Sequence, residues 1–261
     1  MDRRGISIFE ETTQSQAAGI QAWSYGSRPS NPAAESARPP LWRRLVRFSV
    51  WLLFRLVLRT AFRLRVHGHA AIPRRGAFVL VANHTSHVDA AVLTALLPLI
   101  RIHDTHPLAA RDYFFRHRLL GALVRLVVNA VPIDRENGVE GATAPVLELL
   151  ARGHGVICFP EGTRSLTGAI APFKQGVGRL LAGRPYPGIP VAILGAYEVL
   201  PKGAWWPRPR MIEIVVGEPV RYEHKMETQD SCRSIAADLE CQVRRLEESR
   251  CTKGSALDPK K

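Results

Sequence analysis

Two short segments of the chain hold side chains that could do chemistry. In Asn83-His84-Thr85-Ser86-His87-Val88-Asp89 an imidazole stands five residues before a carboxylate. If the segment leaves a strand and enters a helix, Asp89 falls in the first helical turn and can fold back on the ring of His84. A carboxylate there fixes one tautomer and stabilises the imidazolium, while the other ring nitrogen faces a hydroxyl; that arrangement is a general base. The same residues admit a structural reading, because Ser86-x-x-Asp89 is also a capping box for the helix that follows. The second segment, Phe159-Pro160-Glu161-Gly162-Thr163-Arg164-Ser165, ends a strand with proline, turns at Gly162 and delivers a cation in Arg164.

A third segment, Pro132-Ile133-Asp134-Arg135, carries another cation at a strand end. Arg111, Arg135, Arg164 and Lys174 thus all lie near predicted strand ends or the loops beyond them. Converging cations hold a phosphate monoester, and arginine suits this best because its planar fork binds two oxygens at once.

These loops need a scaffold that brings them together. From residue 66 onward short apolar runs alternate with helical patterns. Ala77 to Ala82, Val128 to Ile133, Val156 to Phe159, Ile189 to Leu194 and Met211 to Val216 read as strands. The stretches from about His87 to Leu97, Tyr113 to Leu126, Gly138 to Arg152, Gln175 to Ala182 and Thr228 to Ser249 read as helices. Such alternation predicts one α/β domain with a mainly parallel or mixed sheet flanked by helices, whose ligand site lies beyond the carboxyl ends of the strands. The loops after Ala82, Ile133 and Phe159 are those ends.

The rest of the chain divides into a predicted disordered leader (1–40), a cationic helix (41–65), a catalytic domain (66–222), a final helix (223–249) and a flexible tail (250–261). The leader is rich in Ser, Ala, Gln and Pro and has no apolar run suited to a signal peptide. Residues 41–65 hold seven arginines and no acid, so much of the net charge of +13 is concentrated there. At helical spacing Arg44, Arg47, Arg55, Arg59 and Arg63 fall on one side, with Val46, Val50, Leu53, Val57 and Leu64 opposite. The uncharged run from Phe48 to Phe54 is far shorter than the roughly 20 residues of a spanning helix. The pattern predicts an amphipathic helix lying on an anionic membrane surface at its cytoplasmic face; the alternative is a solvated helix packed on the domain. Cys158, Cys232, Cys241 and Cys251 have no CxxC spacing and no histidines at ligand distance, which predicts reduced structural thiols and no metal.

With its blocks taken together, the sequence resembles the glycerolipid acyltransferases related to 1-acyl-glycerol-3-phosphate acyltransferase. The resemblance runs over about residues 66–220. It covers His67-Gly68, Ile72-Pro73, Val79 to Asp89 with its Asn-His-x4-Asp block, Ala110 to Phe114, Pro132 to Arg135, Phe159 to Ser165, Phe173 to Gly176, Ile189 to Val191 and Gly217 to Pro219. It implies transfer of a fatty acyl group from coenzyme A or acyl carrier protein to the hydroxyl of a lysophospholipid, most simply 1-acyl-sn-glycerol 3-phosphate, giving phosphatidic acid. By carry-over, His84 is the base and Asp89 orients it. Arg135, Glu161, Gly162, Thr163 and Arg164 match acceptor-binding positions, Arg164 and Arg111 face the phosphate, and Lys174 belongs to a block of less settled role. No cofactor is implied beyond the acyl thioester as co-substrate. Pro132 and Tyr113 depart from the usual residues of their blocks, which bears on the acceptor more than on the reaction.

No covalent intermediate is needed, since a base-assisted alcohol can attack a thioester directly. Backbone N–H groups near Gly162 are the expected donors to the oxyanion. The alternatives are another acceptor such as glycerol 3-phosphate, a thioesterase that activates water with the same pair, and a non-catalytic basic membrane-binding protein. Nucleic acid is not an expected partner, because the charge lies on an apolar helix and no nucleic-acid motif is present.

Overall fold

The structure, a computed structural model, describes residues 40–110, 126, 128–133 and 138–255. Arg111, Arg135, nearly all of the predicted Tyr113–Leu126 helix, residues 1–39 of the leader and the end of the tail lie outside the described residues.

Strand β1 (Arg65–His67) and strand β2 (Phe78–Ala82) come first, and helix α1 (Leu41–Thr60) precedes them. Helix α2 (Asp89–Leu96) leads to β3 (Thr105–Ala110) and, further on, β4 (Val131–Ile133). Helix α3 (Gly138–Ala151), β5 (Gly155–Cys158), α4 (Gly176–Leu181) and β6 (Gly188–Leu194) follow. A short α5 (Ala196–Val199), β7 (Glu213–Val216) and the long α6 (Gln229–Ser255) complete the chain. The seven strands form one sheet in the order β1-β7-β6-β2-β5-β3-β4. β6, β2, β5, β3 and β4 run parallel, β1 runs parallel to β7, and among the described strand pairs the β6–β7 pairing alone is antiparallel.

β2 is the central strand, and all five of its residues are buried. Side chains alternate across a strand, so an unbroken apolar run is what a strand covered on both faces requires. Phe78, Leu80 and Ala82 join a core with Val92, Leu93 and Leu96 of α2 and Leu58 of α1. Val79 and Val81 join the opposite core with Val146 and Leu150 of α3, Leu180 of α4 and Ile235 and Leu239 of α6. Helices α4 and α6 meet so closely that a Cβ on Gly178 would come within 2.0 Å of the Cys232 carbonyl oxygen. Glycine there permits the backbone contact.

β1 and β3 were not anticipated. β3 reads Thr-His-Pro-Leu-Ala-Ala, short of β-branched residues and interrupted by Pro107. It pairs with β5 through Thr105–Pro107 and with β4 through Leu108–Ala110, so the exchange of partners falls at the residue that lacks an N–H.

Helix α1 turns a different side to the domain than its charge pattern suggests. Arg47 Nε donates to the Leu126 carbonyl at 3.0 Å and Arg55 donates to the Ala95 carbonyl at 2.8 Å, with Arg55 also lying over the Trp51 ring. Two of the aligned arginines therefore dock the helix, and Leu45, Leu52, Leu53 and Leu56 face outward. Among the described residues no helix is long and apolar enough to cross a membrane.

Candidate active site

The chain leaves β2 at Ala82 and must reach α2 at Asp89 through six residues. Asn83 fixes the exit: its amide donates to the Ile193 carbonyl at 2.9 Å and its carbonyl oxygen accepts the Ile193 N–H at 2.8 Å. The buried side chain thus extends the β2–β6 pairing by one two-way link.

His84 follows with both peptide groups bound to the loop after β5. Its N–H donates to Glu161 Oε1 at 2.7 Å, and its carbonyl accepts the Ser165 N–H at 2.8 Å. The ring stacks on Phe159 at a centroid distance of 4.3 Å. Its Nδ1 lies 2.8 Å from Asp89 Oδ2, and that same oxygen accepts the N–H groups of Thr85 at 2.7 Å and Ser86 at 2.8 Å. An oxygen receiving two amide donors acts as an acceptor toward the ring as well, so Nδ1 carries the proton in this bond and Nε2 is the basic nitrogen. Nε2 makes no hydrogen bond among the described residues. The His84 side chain keeps 23% of its surface exposed, whereas that of Asp89 is wholly buried.

The structural reading of Ser86 and Asp89 holds in one direction. Asp89 accepts the Ser86 N–H, as a capping box requires, but Ser86 Oγ accepts from Val88 at 3.3 Å and donates to the Leu200 carbonyl at 2.8 Å. The carboxylate therefore closes its own turn while orienting the imidazole. His87 lies in the turn before α2, exposed, rather than on the helix itself.

The loop after β5 supplies the other expected residues. Glu161 is buried, with Oε1 on the His84 N–H and Oε2 on the Ala171 N–H at 3.0 Å, and burial raises its carboxyl above the usual range. Its contacts clamp two loops together. Gly162 has φ +75°, a left-handed conformation that glycine adopts without strain. The Gly162 N–H closes the turn onto the Phe159 carbonyl at 3.1 Å, which removes that donor from the expected oxyanion site. Lys174 extends over Gly162, with Nζ 2.7 Å from where a Cβ would stand. Thr163 is exposed and Arg164 half-buried. The Arg164 guanidinium adds to burial in lowering the His87 pKa, which puts its charge beside the His84–Asp89 loop. Arg111 and Arg135 lie outside the described residues.

Cys158, the last residue of β5, is buried, and burial pushes its thiol up to about 12. A thiol held neutral in the core is a poor nucleophile.

A second imidazole pair sits at the other end of the sheet, where sequence spacing gave no signal. His106 Nε2 and His154 Nδ1 are 2.8 Å apart, and His106 Nδ1 donates to the Asn129 carbonyl at 3.1 Å. The residues are 48 apart in the chain and meet because β3 and β5 start side by side. Burial, with His154 as the next cause, pushes His106 down to about 4.

A helix-covered α/β sheet whose parallel strands deliver a His–Asp pair and an arginine to their carboxyl ends defines the class. Residues 63–194 match the acyltransferase family, and the chain belongs to it. It is 26% identical over 170 residues to the 1-acyl-sn-glycerol-3-phosphate acyltransferase of Bacillus subtilis, covering 64% of this chain and 78% of that protein. With the enzyme of the same name from Limnanthes douglasii it shares 29% identity over 145 residues, 54% of this chain and 50% of the relative. The match thus spans about half the length of that plant relative. Among solved structures, the 1-acyl-sn-glycerophosphate (LPA) acyltransferase PlsC of Thermotoga maritima superposes with a TM-score of 0.61 at 22% identity, over 93% of this chain and 89% of that one. At that identity the likeness is one of fold.

Proposed function

We propose that the chain transfers a fatty acyl group from coenzyme A or acyl carrier protein to the free hydroxyl of 1-acyl-sn-glycerol 3-phosphate, yielding phosphatidic acid and the free thiol. One observation carries the reading: the 2.8 Å bond from His84 Nδ1 to the buried Asp89 carboxylate, which leaves Nε2 as a base at the carboxyl end of the sheet. The relatives named above support the choice of acceptor.

In this mechanism Nε2 takes the hydroxyl proton as the acceptor oxygen attacks the thioester carbonyl. Asp89 stabilises the imidazolium that results. The tetrahedral intermediate then collapses, the carbon–sulfur bond breaks, and the imidazolium returns its proton to the departing thiolate. His84 is kept in register by Glu161 and Ser165 on its backbone and by Phe159 under its ring. Arg164 faces the acceptor phosphate, with Arg111 and Arg135 expected to add charge there. The buried, neutral Cys158 favours direct transfer over an acyl-enzyme. Long-chain lysophospholipids reside in bilayers, so the working place is a membrane surface, at the cytoplasmic face where the thioester donors are.

The test is an acceptor panel (lysophosphatidic acid, glycerol 3-phosphate, lysophosphatidylcholine and no acceptor) with acyl-coenzyme A or acyl carrier protein, read by mass spectrometry. Phosphatidic acid formed only with lysophosphatidic acid, and lost in His84→Ala, is the expected result. Free fatty acid released at the same rate without acceptor would make the protein a thioesterase.

A further inference from the structure

A cleft of about 520 Å³ opens at the amino end of the sheet, away from the chemistry described so far. Its lining includes Ala77, which leads into β2, Gly153, which precedes β5, and Pro187, which leads into β6. These strands run parallel, and His84 follows the other end of β2. Cleft and base are therefore separated by about 17 Å of strand, five residues at ~3.3 Å each.

The walls are held by backbone bonds. Gly188 and Val220 exchange their N–H groups at 2.9 and 2.8 Å, and the Gly183 N–H donates to the Tyr222 carbonyl at 3.1 Å. A Cβ on Gly76 or Gly153, at two corners of the cleft, would meet nothing within 4 Å, so the space above both is open among the described residues.

The charge within is of one sign: the described residues that line the cleft include Arg75, Arg184 and Arg221 and no acid. Arg184 donates to Glu227 at 3.0 Å, but Glu227 also faces Arg179 Nε at 3.4 Å, so one carboxylate serves two guanidinium groups. Arg184 Nε is buried with no hydrogen-bond partner among the described residues. A buried N–H without an acceptor is costly, and a ligand oxygen would satisfy it. Arg221 donates to the Pro185 carbonyl through one nitrogen, and Arg75, on the exposed rim, makes no hydrogen bond or ion pair among the described residues. Leu147 and Tyr186 supply an apolar side. Burial pushes the Tyr186 hydroxyl up to about 12, so it stays a neutral donor.

We propose that this cleft is a second ligand site, which binds a small soluble organic phosphate with its phosphoryl oxygens on Arg75, Arg184 and Arg221 and its body against Leu147 and Tyr186. Guanidinium groups grip phosphoryl oxygens in pairs, and the volume falls within the roughly 300–1,000 Å³ of small-molecule sites. None of the exposed large apolar side chains of the described residues lines the cleft, which matches a ligand taken from solution rather than a lipid surface. The site is separate from the one that holds His84 and Arg164, and the inference stands without the acyl-transfer reading.

The experiment titrates the full chain with ADP in a calorimeter at fixed ionic strength, with adenosine as the uncharged probe. One ADP is expected per chain, and adenosine is expected to bind about tenfold more weakly or worse. Arg75→Ala/Arg221→Ala should lower ADP affinity about tenfold or more, and Arg75→Ala alone, which removes an exposed side chain without partners, should lower it severalfold at an unchanged thermal midpoint. Arg164→Ala and the charge-matched Arg233→Ala/Arg245→Ala, on exposed positions of α6, should bind ADP as the parent does. Absence of ADP binding, or binding unaffected by loss of Arg75 and Arg221, overturns the proposal. So does loss in Arg164→Ala, which would put the phosphate in the acceptor site, or an equal loss in the α6 variant, which would reduce the effect to net charge. Equal affinity for adenosine overturns it as well.

Discussion

His84 and His106 are hydrogen-bonded at opposite ends of the same sheet, and their partners give them opposite characters. His84, at the carboxyl end, is bound through Nδ1 to a carboxylate and keeps its other nitrogen open. His106, at the amino end, is buried, donates to a backbone carbonyl and accepts from His154. An imidazolium is stabilised at the first position by Asp89. At the second it would lose its acceptor role toward His154 and stand uncompensated in the core, which is why burial and the neighbouring ring push its pKa down. A histidine becomes a base through an anionic partner and an open face. Without them it serves as a neutral cross-link.

The sharpest way to break the comparison is to remove each ring. His84→Ala is expected to lower kcat by about 10³-fold or more, with the thermal midpoint little changed, because general-base catalysis is lost and the loop is held through backbone bonds. If His84→Ala kept substantial acyl transfer, the base would have to be sought elsewhere. Asp89→Asn keeps the size of the side chain but removes the charge that supports the imidazolium, and a loss of about 10²-fold in kcat is expected in steady-state assays.

Arg164→Ala probes the other half of the catalytic end. KM for the phosphate-bearing acceptor should rise about tenfold or more, with turnover of a neutral acceptor unaffected. Equal losses on both acceptors would assign Arg164 to the loop's structure instead.

At the amino end the sign reverses. His106→Leu should leave kcat within about twofold while removing about 1–3 kcal/mol of stability in urea unfolding, because His154 and the Asn129 carbonyl lose their partner. The pH dependence follows from the same group. With a folded pKa of about 4 and an ordinary unfolded value of about 6.5, the neutral ring favours the fold. That stability is complete above pH ~6.5 and is lost as pH falls toward ~4, by at most about 3 kcal/mol. Unfolding curves at these two pH values should converge toward each other in His106→Leu, whose stability no longer carries this component.

Much of the carboxyl end was legible in the sequence because its chemistry is local. His84 and Asp89 are five residues apart, and the turn that joins them is closed by amides of the same segment, Thr85 and Ser86. The apolar run of β2 and the proline and glycine after β5 are likewise features of a few neighbouring residues. The role of Asn83 was not legible, because its partner Ile193 is 110 residues away. Glu161 looked like a ligand-facing acid, and its position among strand-end residues gave no sign that both oxygens bind backbone groups. For α1, periodicity set five arginines opposite Val46, Val50, Leu53, Val57 and Leu64, but only the docked domain could select which side turned inward.

The sequence by itself determined the alternation of strands and helices, the pairing of His84 with Asp89, and the family to which the chain belongs. Periodicity and short-range hydrogen bonding act within one or two turns of chain, and residue type alone sets them. The tertiary structure alone decided the order β1-β7-β6-β2-β5-β3-β4, the reversal at β7 and the meeting of His106 with His154. Buried strands are interchangeable as strings of apolar residues, and which one lies beside which follows from how the helices and loops that join them fill the space on both faces of the sheet.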